Sequence, residues 1–280
     1  MGFAINTNMA SLNAQRNASV SQSSLSTSLQ RLSSGLRVNS AKDDAAGLAI
    51  AERMNAQVRG MAVAIRNAND GISLAQTAEG GLTAMSDMIQ RMRELSVQAV
   101  NATNTSGDIS ALNEEYTQLR SELSRTISAV QFNGTTLFTA TANFDFQVGA
   151  NSGQTITVSA TSIGVNTAVN VGAITTGAGS ALVTSANSAN ASNIDLLDKA
   201  LLTINSTRAT LGAVQSRFES TMSFLKTAQE NQAAARGRIM DADFASETSN
   251  LSRAQILQQA GMAMVAQANQ LPQGVLALLR

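Results

Sequence analysis

Hydrophobic residues recur between residues 48 and 100 in alternating steps of four and three. This spacing is typical of a coiled-coil seam on a single long helix. The repeat shifts by one step around Glu79, Gly80 and Gly81, which predicts a discontinuity in the supercoil within a continuous helix. The seam residues before and after that shift are Met54, Val58, Met61, Ile65, Ala68, Ile72 and Ala75, then Leu82, Met85, Ile89 and Met92.

A helix from Ser40 to about Asn101 would be roughly 90 Å long, at about 1.5 Å per residue. Ser40 and Asp43 have the spacing of a capping box, and Asp44 also suits a helix start. A seam of this length needs partner helices to cover it. Helical spacing returns at residues 109–130 and 194–225, and we expect these two segments to pack along the long helix.

The two chain ends have similar patterns, each predicting amphipathic helix beyond an interrupted junction. Asn6 or Thr7 can cap a first helix that stops at Gly35. Near the other end, Gly237 interrupts the pattern, and Asp241 or Asp243 can cap a restart. The large apolar residues of these terminal stretches are Leu25, Leu29, Leu32 and Leu36 at one end, and Leu251, Leu257, Met264, Leu271, Val275 and Leu278 at the other.

Between the helical segments the hydrophobic period changes to two. Phe144, Phe146 and Val148 alternate with polar residues, as do Ile156 and Val158, which predicts a β-hairpin near residues 144–158. Asn133 and Gly134 indicate a turn just before it. Residues 161–193 carry no charged side chain and are rich in Ala, Ser, Thr and Gly. This composition is compatible with a loop, a flexible linker or a small excursion, and the sequence does not decide among them.

Composition restricts the chemistry available to the chain. Charged residues make up 14% and aromatic residues 3%, so the helices pack mostly through small side chains with thin cores. There is no Cys and no His, which excludes thiol and imidazole catalysis and Cys/His zinc sites. The 19 basic and 19 acidic residues balance, so no net field attracts nucleic acid or anionic lipid.

Paired carboxylates and clustered arginines have structural explanations. Capping accounts for the Asp43/Asp44 and Asp241/Asp243 pairs, and a solvated helix face accounts for Glu114/Glu115, so no enzyme activity, cofactor or metal is predicted. Without interleaved aromatic residues, the arginines indicate ion pairs or interfaces rather than nucleic-acid binding; these are Arg91, Arg93, Arg236 and Arg238. The N-terminus lacks the pattern of a cleavable signal, and the uncharged run at 254–279 is too polar for membrane insertion.

Several longer stretches together resemble the bacterial flagellins. The similarity covers roughly residues 1–160 and 194–280, and colinear agreement at both ends is more specific than a short motif. The stretches that carry it are Ala4–Asn8, Leu32–Leu48, Gln90–Leu95 and Phe132–Gly134 in the first part, and Ile239–Ala245 and Gln267–Gln270 in the second.

The resemblance implies a mainly α fold: an elongated antiparallel coiled-coil and helical-bundle rod with a small β-hairpin, in which the N- and C-terminal helices pair. Residues 1–43 with 241–280 would form the inner-tube domain, residues 44–160 with 194–240 the rod domain, and 161–193 a short variable segment. The chain would be a flagellin with a minimal central region.

The resemblance also implies a function and partners. The chain would be a secreted, extracellular structural subunit that polymerises with itself non-covalently into the flagellar filament for motility. The terminal helices would carry this assembly, and their predicted terminal assembly residues are Leu25, Leu29, Leu32, Leu36, Leu257, Met264, Leu271, Val275 and Leu278. Its partners would be the hook-associated junction and cap proteins, a flagellin export chaperone and the type III export apparatus. The alternatives are a hook–filament junction protein and, from a different class, a membrane-active secreted translocator.

One surface is implied to act in subunit contacts, in recognition by an animal Toll-like receptor, or in both. The residues that match the family pattern there are Gln90, Arg91, Glu94, Leu95, Gln98 and Glu115. Met92 and Ser96 are local variations of that pattern. Both roles are compatible, because a surface buried in the polymer is exposed in a free subunit.

Overall fold

A computed structural model of the chain describes residues 7–139, 143–159, 174 and 187–277. Within these ranges the chain forms five α-helices and two short β-hairpins, so the predicted mainly α fold is confirmed. The elements are α1 (Met9–Ser34), α2 (Ala45–Ala99), α3 (Ser106–Ala129), β1 (Gln131–Phe132), β2 (Thr135–Thr136), β3 (Phe144–Gln147), β4 (Thr155–Val158), α4 (Asn187–Met240) and α5 (Phe244–Ala277).

The chain divides into two compact units. The first unit is Met1–Ala56 with Asn231–Arg280, and the second unit is Gln57–Glu230. Of the variable segment predicted at 161–193, the structure describes the buried Ile174 and residues 187–193, which begin α4. The remainder of that segment lies outside the described residues.

The α2 helix continues through Gly80 and Gly81 without a break, over 55 residues. One continuous row of buried positions in the second unit keeps regular steps of three and four past Gly80 and Gly81, so the predicted shift in the repeat is wrong. The shift follows from assigning the seam to the larger Ile65 and Ile72, whereas the structure buries the smaller Ala64 and Gly71. That row consists of Met61, Ala64, Ala68, Gly71, Ala75, Ala78, Leu82, Met85, Ile89, Met92, Ser96 and Ala99, and Leu74, Ser86 and Leu95 are also buried beside it.

The α2 helix begins at Ala45, later than the predicted cap at Ser40. Asp43 instead closes the preceding turn, accepting hydrogen bonds from the Ser40 backbone N–H at 2.9 Å and the Ser40 hydroxyl at 3.0 Å. These bonds hold the pKa of Asp43 below its ordinary value. Asp44 caps the helix, because its Oδ1 atom accepts a bond from the Gly47 N–H at 2.8 Å.

Both predicted partner helices cover α2 in the second unit. The α3 helix is antiparallel to α2 and buries Tyr116, Leu123 and Ile127, and α4 is also antiparallel and buries a longer apolar row. Arg93 Nε donates to Asp198 Oδ1 of α4 at 2.6 Å. The buried row of α4 is Leu197, Ala200, Ile204, Leu211 and Phe218.

Glycine allows a close approach between α2 and α4. A Cβ atom at Gly71 would lie 2.5 Å from Cζ of Phe218, whose ring is fully buried. The same ring meets Phe146 of β3 edge-on, with a centroid distance of 5.6 Å. Asn67 Nδ2 donates to the Gln147 carbonyl at 2.9 Å, which attaches β3 to α2.

The predicted hairpin is confirmed, with β3 and β4 antiparallel and Phe146 opposite Ile156. The Asn133–Gly134 turn is also confirmed, since both residues have positive φ angles of 49° and 78°. It joins β1 to β2, a pairing only two residues long. Sequence reasoning found the turn but not these strands, because two residues are too few to show an alternating pattern.

Two of the helix ends predicted for the terminal helices are confirmed, and one predicted cap is wrong. Gly35 ends α1 with a left-handed φ of 71°, as predicted, and Asp243 caps α5 through the Ala245 N–H at 3.0 Å. The cap of α1 is Asn8 rather than Asn6 or Thr7, accepting from the Ser11 N–H at 3.1 Å. The hydrogen bonds at Asp243 also lower its pKa.

The predicted interruption at Gly237 is wrong, because α4 continues to Met240. A glycine inside a helix costs only about 1 kcal/mol relative to alanine, which the surrounding contacts can offset. The Gly237 carbonyl accepts a bond from the Asp241 N–H at 2.8 Å, at the actual end of the helix. Met240 then packs with Val38 and Ala51 in a small separate core.

Candidate functional site

The helices α1 and α5 pack against each other in antiparallel orientation and are called the terminal pair below. At one end Asn8 Nδ2 donates to the Ala268 carbonyl at 2.7 Å, and Ser11 Oγ lies 2.8 Å from Asn269 Oδ1. At the other end Arg31 Nη1 lies 3.7 Å from Glu247 Oε2. The predicted pairing of the two chain ends is confirmed.

Mostly small or polar side chains form the seam of the terminal pair. They recur in steps of three and four on both helices and are buried or half-buried. Each small side chain buries little apolar area, so the pair gains little hydrophobic stabilisation of its own. The seam consists of Ser11, Ala14, Ala18, Ser21, Leu25, Ser28 and Leu32 on α1, and Glu247, Leu251, Ala254, Gln258, Gly261, Val265 and Ala268 on α5.

Large apolar side chains project outward from the terminal pair. In the described part of the chain, nine of the fourteen exposed large hydrophobic residues lie on α1 and α5. Such concentrated exposure is typical of an interaction surface. The outward residues, defined here as the outer apolar face, are Met9, Leu12, Val20 and Leu29 on α1, and Phe244, Ile256, Leu257, Met262 and Met264 on α5.

The predicted terminal assembly residues divide between these two surfaces. Leu25 and Leu32 are half-buried in the seam, whereas Leu29, Leu257 and Met264 are 51%, 51% and 61% exposed on the outer apolar face. The remaining four, Leu36, Leu271, Val275 and Leu278, have separate placements.

Leu36 lies beyond α1, because Gly35 ends that helix, and it pairs with Asp241 in an isolated β-bridge. Leu271 and Val275 belong to α5, and Leu278 lies outside the described residues. Sequence reasoning therefore found the outer face through its large residues and missed most of the seam, whose Ser, Ala and Gly residues give no hydrophobic signal.

The second predicted surface centres on Arg91 of α2. Arg91 Nε donates to Glu115 Oε1 of α3 at 2.7 Å, and Arg91 Nη1 donates to Glu94 Oε2 at 2.9 Å. Both carboxylates raise the pKa of the Arg91 guanidinium. Gln90 and Gln98 are exposed beside them. These five residues are called the Arg91 cluster.

Leu95 does not present its side chain at that surface. It is 1% exposed and belongs to the core between α2 and its partners, as does the neighbouring Met92. Ser96 is also fully buried, and its hydroxyl donates to the Met92 carbonyl at 2.9 Å. These buried residues lie on the face of α2 that packs into the core, whereas the α2 residues of the Arg91 cluster lie on its solvent-exposed face.

Two of the other candidate arginines have structural partners, whereas Arg238 is exposed on α4. Arg93 pairs with Asp198, and Arg236 Nη1 donates to Asn55 Oδ1 at 3.1 Å. Glu114 is exposed on α3. In the ranges that the structure describes, no group of three or more acidic side chains is arranged to hold a metal ion.

The family model for the bacterial flagellin N-terminal helical region matches residues 5–143, and that for the C-terminal helical region matches residues 194–279. A flagellin from Halalkalibacterium halodurans is 46% identical over 277 residues, with 99% of each chain covered. This chain belongs to the bacterial flagellins. The flagellin of Bacillus subtilis is 41% identical, again with 99% of both chains covered.

Solved structures agree with this assignment. The crystal structure of Bacillus cereus flagellin matches the present flagellin with a TM-score of 0.50 and 31% identity, covering 61% of this chain and 94% of that one. A Vibrio parahaemolyticus protein assigned to the flagellar hook-associated proteins matches with a TM-score of 0.57 at 13% identity, covering 71% and 100%. The latter likeness concerns the fold alone.

Family membership establishes the role of the chain. Flagellins are structural proteins, and this flagellin is a subunit that polymerises into the extracellular filament of the bacterial flagellum. No helix in the described ranges is long and apolar enough to span a bilayer. The terminal pair and the Arg91 cluster are thus surfaces of a filament subunit.

Proposed function

We propose that subunits of this flagellin join through the outer apolar face of the terminal pair. The observation that carries this proposal is the concentration of exposed Leu, Met, Ile, Val and Phe side chains on α1 and α5. A face of this kind meets a different surface on the next subunit, which gives a heterologous contact that repeats without closing into a ring. Open helical polymers grow from such contacts.

The energetics favour a pair that orders as it joins the filament. Burying one half-exposed Leu or Met side chain contributes about 1 kcal/mol. The nine outer side chains together would contribute on the order of 10 kcal/mol per subunit. This burial offsets the conformational entropy that the terminal helices lose when they become ordered. The contacts within the seam of the terminal pair are too small to offset that loss by themselves.

Seeded polymerisation tests the proposal. Purified chain is mixed with short filament fragments, and growth is followed by electron microscopy. We expect long filaments from the full chain and none from a chain that lacks residues 1–35 or 251–280, although either truncated chain should stay helical in circular dichroism. Normal filaments from either truncated chain would refute assembly through the terminal pair.

Export and capping partners form a second part of the proposal. We propose that the chain passes unfolded through the flagellar type III export apparatus, delivered by an export chaperone, and assembles between the junction and cap proteins. The absence of cysteine supports this, because no disulfide can hold the chain folded during passage. Binding of the chaperone to the free chain but not to filaments is the expected result in a pull-down.

A hook–filament junction protein is the second candidate. The fold likeness to the Vibrio parahaemolyticus hook-associated protein favours it. The sequence favours a filament subunit, because identity to flagellins reaches 46% along 99% of the chain. Seeded growth discriminates the two, since a junction protein would add a few subunits to a seed and then stop.

We further propose that the Arg91 cluster is recognised by an animal Toll-like receptor when the subunit is free. Arg91, Glu94 and Glu115 support this, because 48%, 66% and 45% of their side-chain surfaces are exposed in a fixed ion-paired arrangement. In the filament the same cluster would contact a neighbouring subunit. Recognition would then depend on release of monomers.

Replacing Arg91 by alanine tests this recognition. We expect signalling by receptor-expressing cells to fall about fivefold or more with monomeric Arg91→Ala, because an exposed arginine at the centre of an interface is a frequent hot spot. Arg125→Ala is the matched control, since Arg125 is also exposed and paired with a glutamate, Glu122, on α3. Equal signalling by the parent and Arg91→Ala would contradict recognition through the cluster.

A further inference from the structure

We propose that the ion pair between Arg31 and Glu247 sets the register of the terminal pair. Arg31 lies in the last turn of α1 and Glu247 in the first turn of α5. Each charge therefore also suits the dipole of its own helix end. The role deepens the proposed function, because the register decides which parts of the outer apolar face lie side by side.

The seam itself specifies register weakly. Its positions repeat every seven residues on both helices, so α5 can slide by seven residues and still place seam residues opposite seam residues. In the observed register Gly261 lies against Ala18, where a Cβ atom on Gly261 would be 3.4 Å from the Ala18 Cβ atom. A slide by seven would place Ala254 or Ala268 against Ala18 instead.

The ion pair opposes that slide because its carboxylate is buried, while the Arg31 side chain is 31% exposed. Glu247 is 7% exposed, and within the described residues the buried Nε atom of Arg31 has no hydrogen-bond acceptor. A slide in one direction would carry Glu247 past the end of α1 at Ser34, and a slide in the other would place it opposite Leu25. The first slide removes the ion pair, and the second leaves the Glu247 carboxylate against an apolar side chain without its partner, which is strongly unfavourable.

The bonds of Asn8 and Ser11 at the opposite end of the pair would be lost in the same slide. These bonds join neutral groups, so they specify register less strongly than a buried charge. A slide by seven residues moves one helix about 10 Å along the other. The outer apolar residues of α1 and α5 would then no longer form the surface that a neighbouring subunit meets.

Disulfide trapping measures the register directly. The chain contains no cysteine, so the two engineered cysteines of each variant are the only thiols that can form a disulfide within it. Ala18→Cys with Gly261→Cys, called the observed-register reporter, is suitable because the two Cβ atoms fall near the separation that a disulfide requires. Ala18→Cys with Ala254→Cys, or with Ala268→Cys, reports the two slid registers. Oxidation is measured in the free chain and in chains copolymerised as a minority with wild-type subunits.

Charge variants are then compared in each reporter background. Glu247→Arg should lower the ratio of observed-register to slid-register disulfide about tenfold, because it places two positive charges together. Adding Arg31→Glu should restore the ratio to within about twofold of the parent by re-forming the pair in reverse. Arg16→Glu, a reversal at an exposed position of α1, is the control and should leave the ratio unchanged.

The observed-register reporter is first oxidised with Arg31 and Glu247 both intact, in the free chain and in the filament. The charge variants are then compared in the state in which this reporter forms its disulfide. An unchanged ratio in Glu247→Arg, failure of the double variant to restore it, or absence of that disulfide in both states would overturn the proposal. If Glu247→Arg chains are excluded from filaments and the double variant is admitted, the proposal is supported. If the reporter chain with Arg31 and Glu247 intact forms the disulfide but does not enter filaments, the proposed assembly is refuted. The role of the ion pair in setting the register is then still supported.

Discussion

Filament growth is expected to stop when Leu29, Leu257 and Met264 are together replaced by glutamine. All three side chains are more than half exposed on the outer apolar face, so the change removes no contact from the seam of the terminal pair. Glutamine is nearly as good a helix former as leucine or methionine, and the helices should be retained. Each glutamine would have to be desolvated in a subunit contact that offers an apolar partner, which opposes association.

The measurement is the elongation rate from seeds, counted by electron microscopy. We expect the rate to fall below detection in the triple glutamine variant while its circular dichroism stays that of the parent. The control keeps the same positions apolar through Leu29→Met, Leu257→Met and Met264→Leu, and it should elongate at close to the parent rate. Growth of the glutamine variant at the parent rate would exclude the outer apolar face from assembly.

A single added methyl group at Gly71 is expected to destabilise the second unit by about 2 kcal/mol. The new Cβ atom of Gly71→Ala would lie 2.5 Å from Cζ of Phe218, well inside van der Waals contact. The Phe218 ring is fully buried and has Phe146 edge-on beside it, so it cannot withdraw without disturbing the β3–β4 hairpin. The overlap therefore separates α4 from α2.

Gly80→Ala is the matched control on the same helix. No atom lies within 4 Å of the position of its added Cβ, so the better helix propensity of alanine should stabilise the chain by up to about 1 kcal/mol. Denaturant unfolding followed by circular dichroism gives both free energies of unfolding. A Gly71→Ala chain as stable as Gly80→Ala would show that α2 and α4 do not approach at Gly71.

Local sequence determines most of the secondary structure of this flagellin. Gly35 stops α1 because a left-handed residue is easiest for glycine, and Asp243 caps α5 because its carboxylate reaches the free N–H groups of the first turn. The alternation at Phe144, Phe146 and Ile156 fixes the β3–β4 hairpin in the same way. These effects act over a few residues, so the sequence by itself contains them.

Tertiary packing decided which face of each helix became the seam. By size, Ile65 and Ile72 look like the seam of α2, but Ala64 and Gly71 are the residues buried, because small side chains let Phe218 and the neighbouring helix approach. The terminal helices repeat this choice, with Ser28 inside and Leu29 outside. Leu95 lies close to Arg91 in the sequence but on the packed face of α2, so it belongs to the core and not to the Arg91 cluster.

The sequence alone thus determined the long helices, the hairpin, the pairing of the chain ends and the family. Only the tertiary structure decided that the large apolar residues of the terminal pair face outward and that Arg31 meets Glu247. The physical reason is that helical periodicity marks a hydrophobic stripe without saying what covers it. In the terminal pair, mostly small or polar residues pack between the two helices, and nine large apolar residues stay exposed, where we propose that neighbouring subunits cover them.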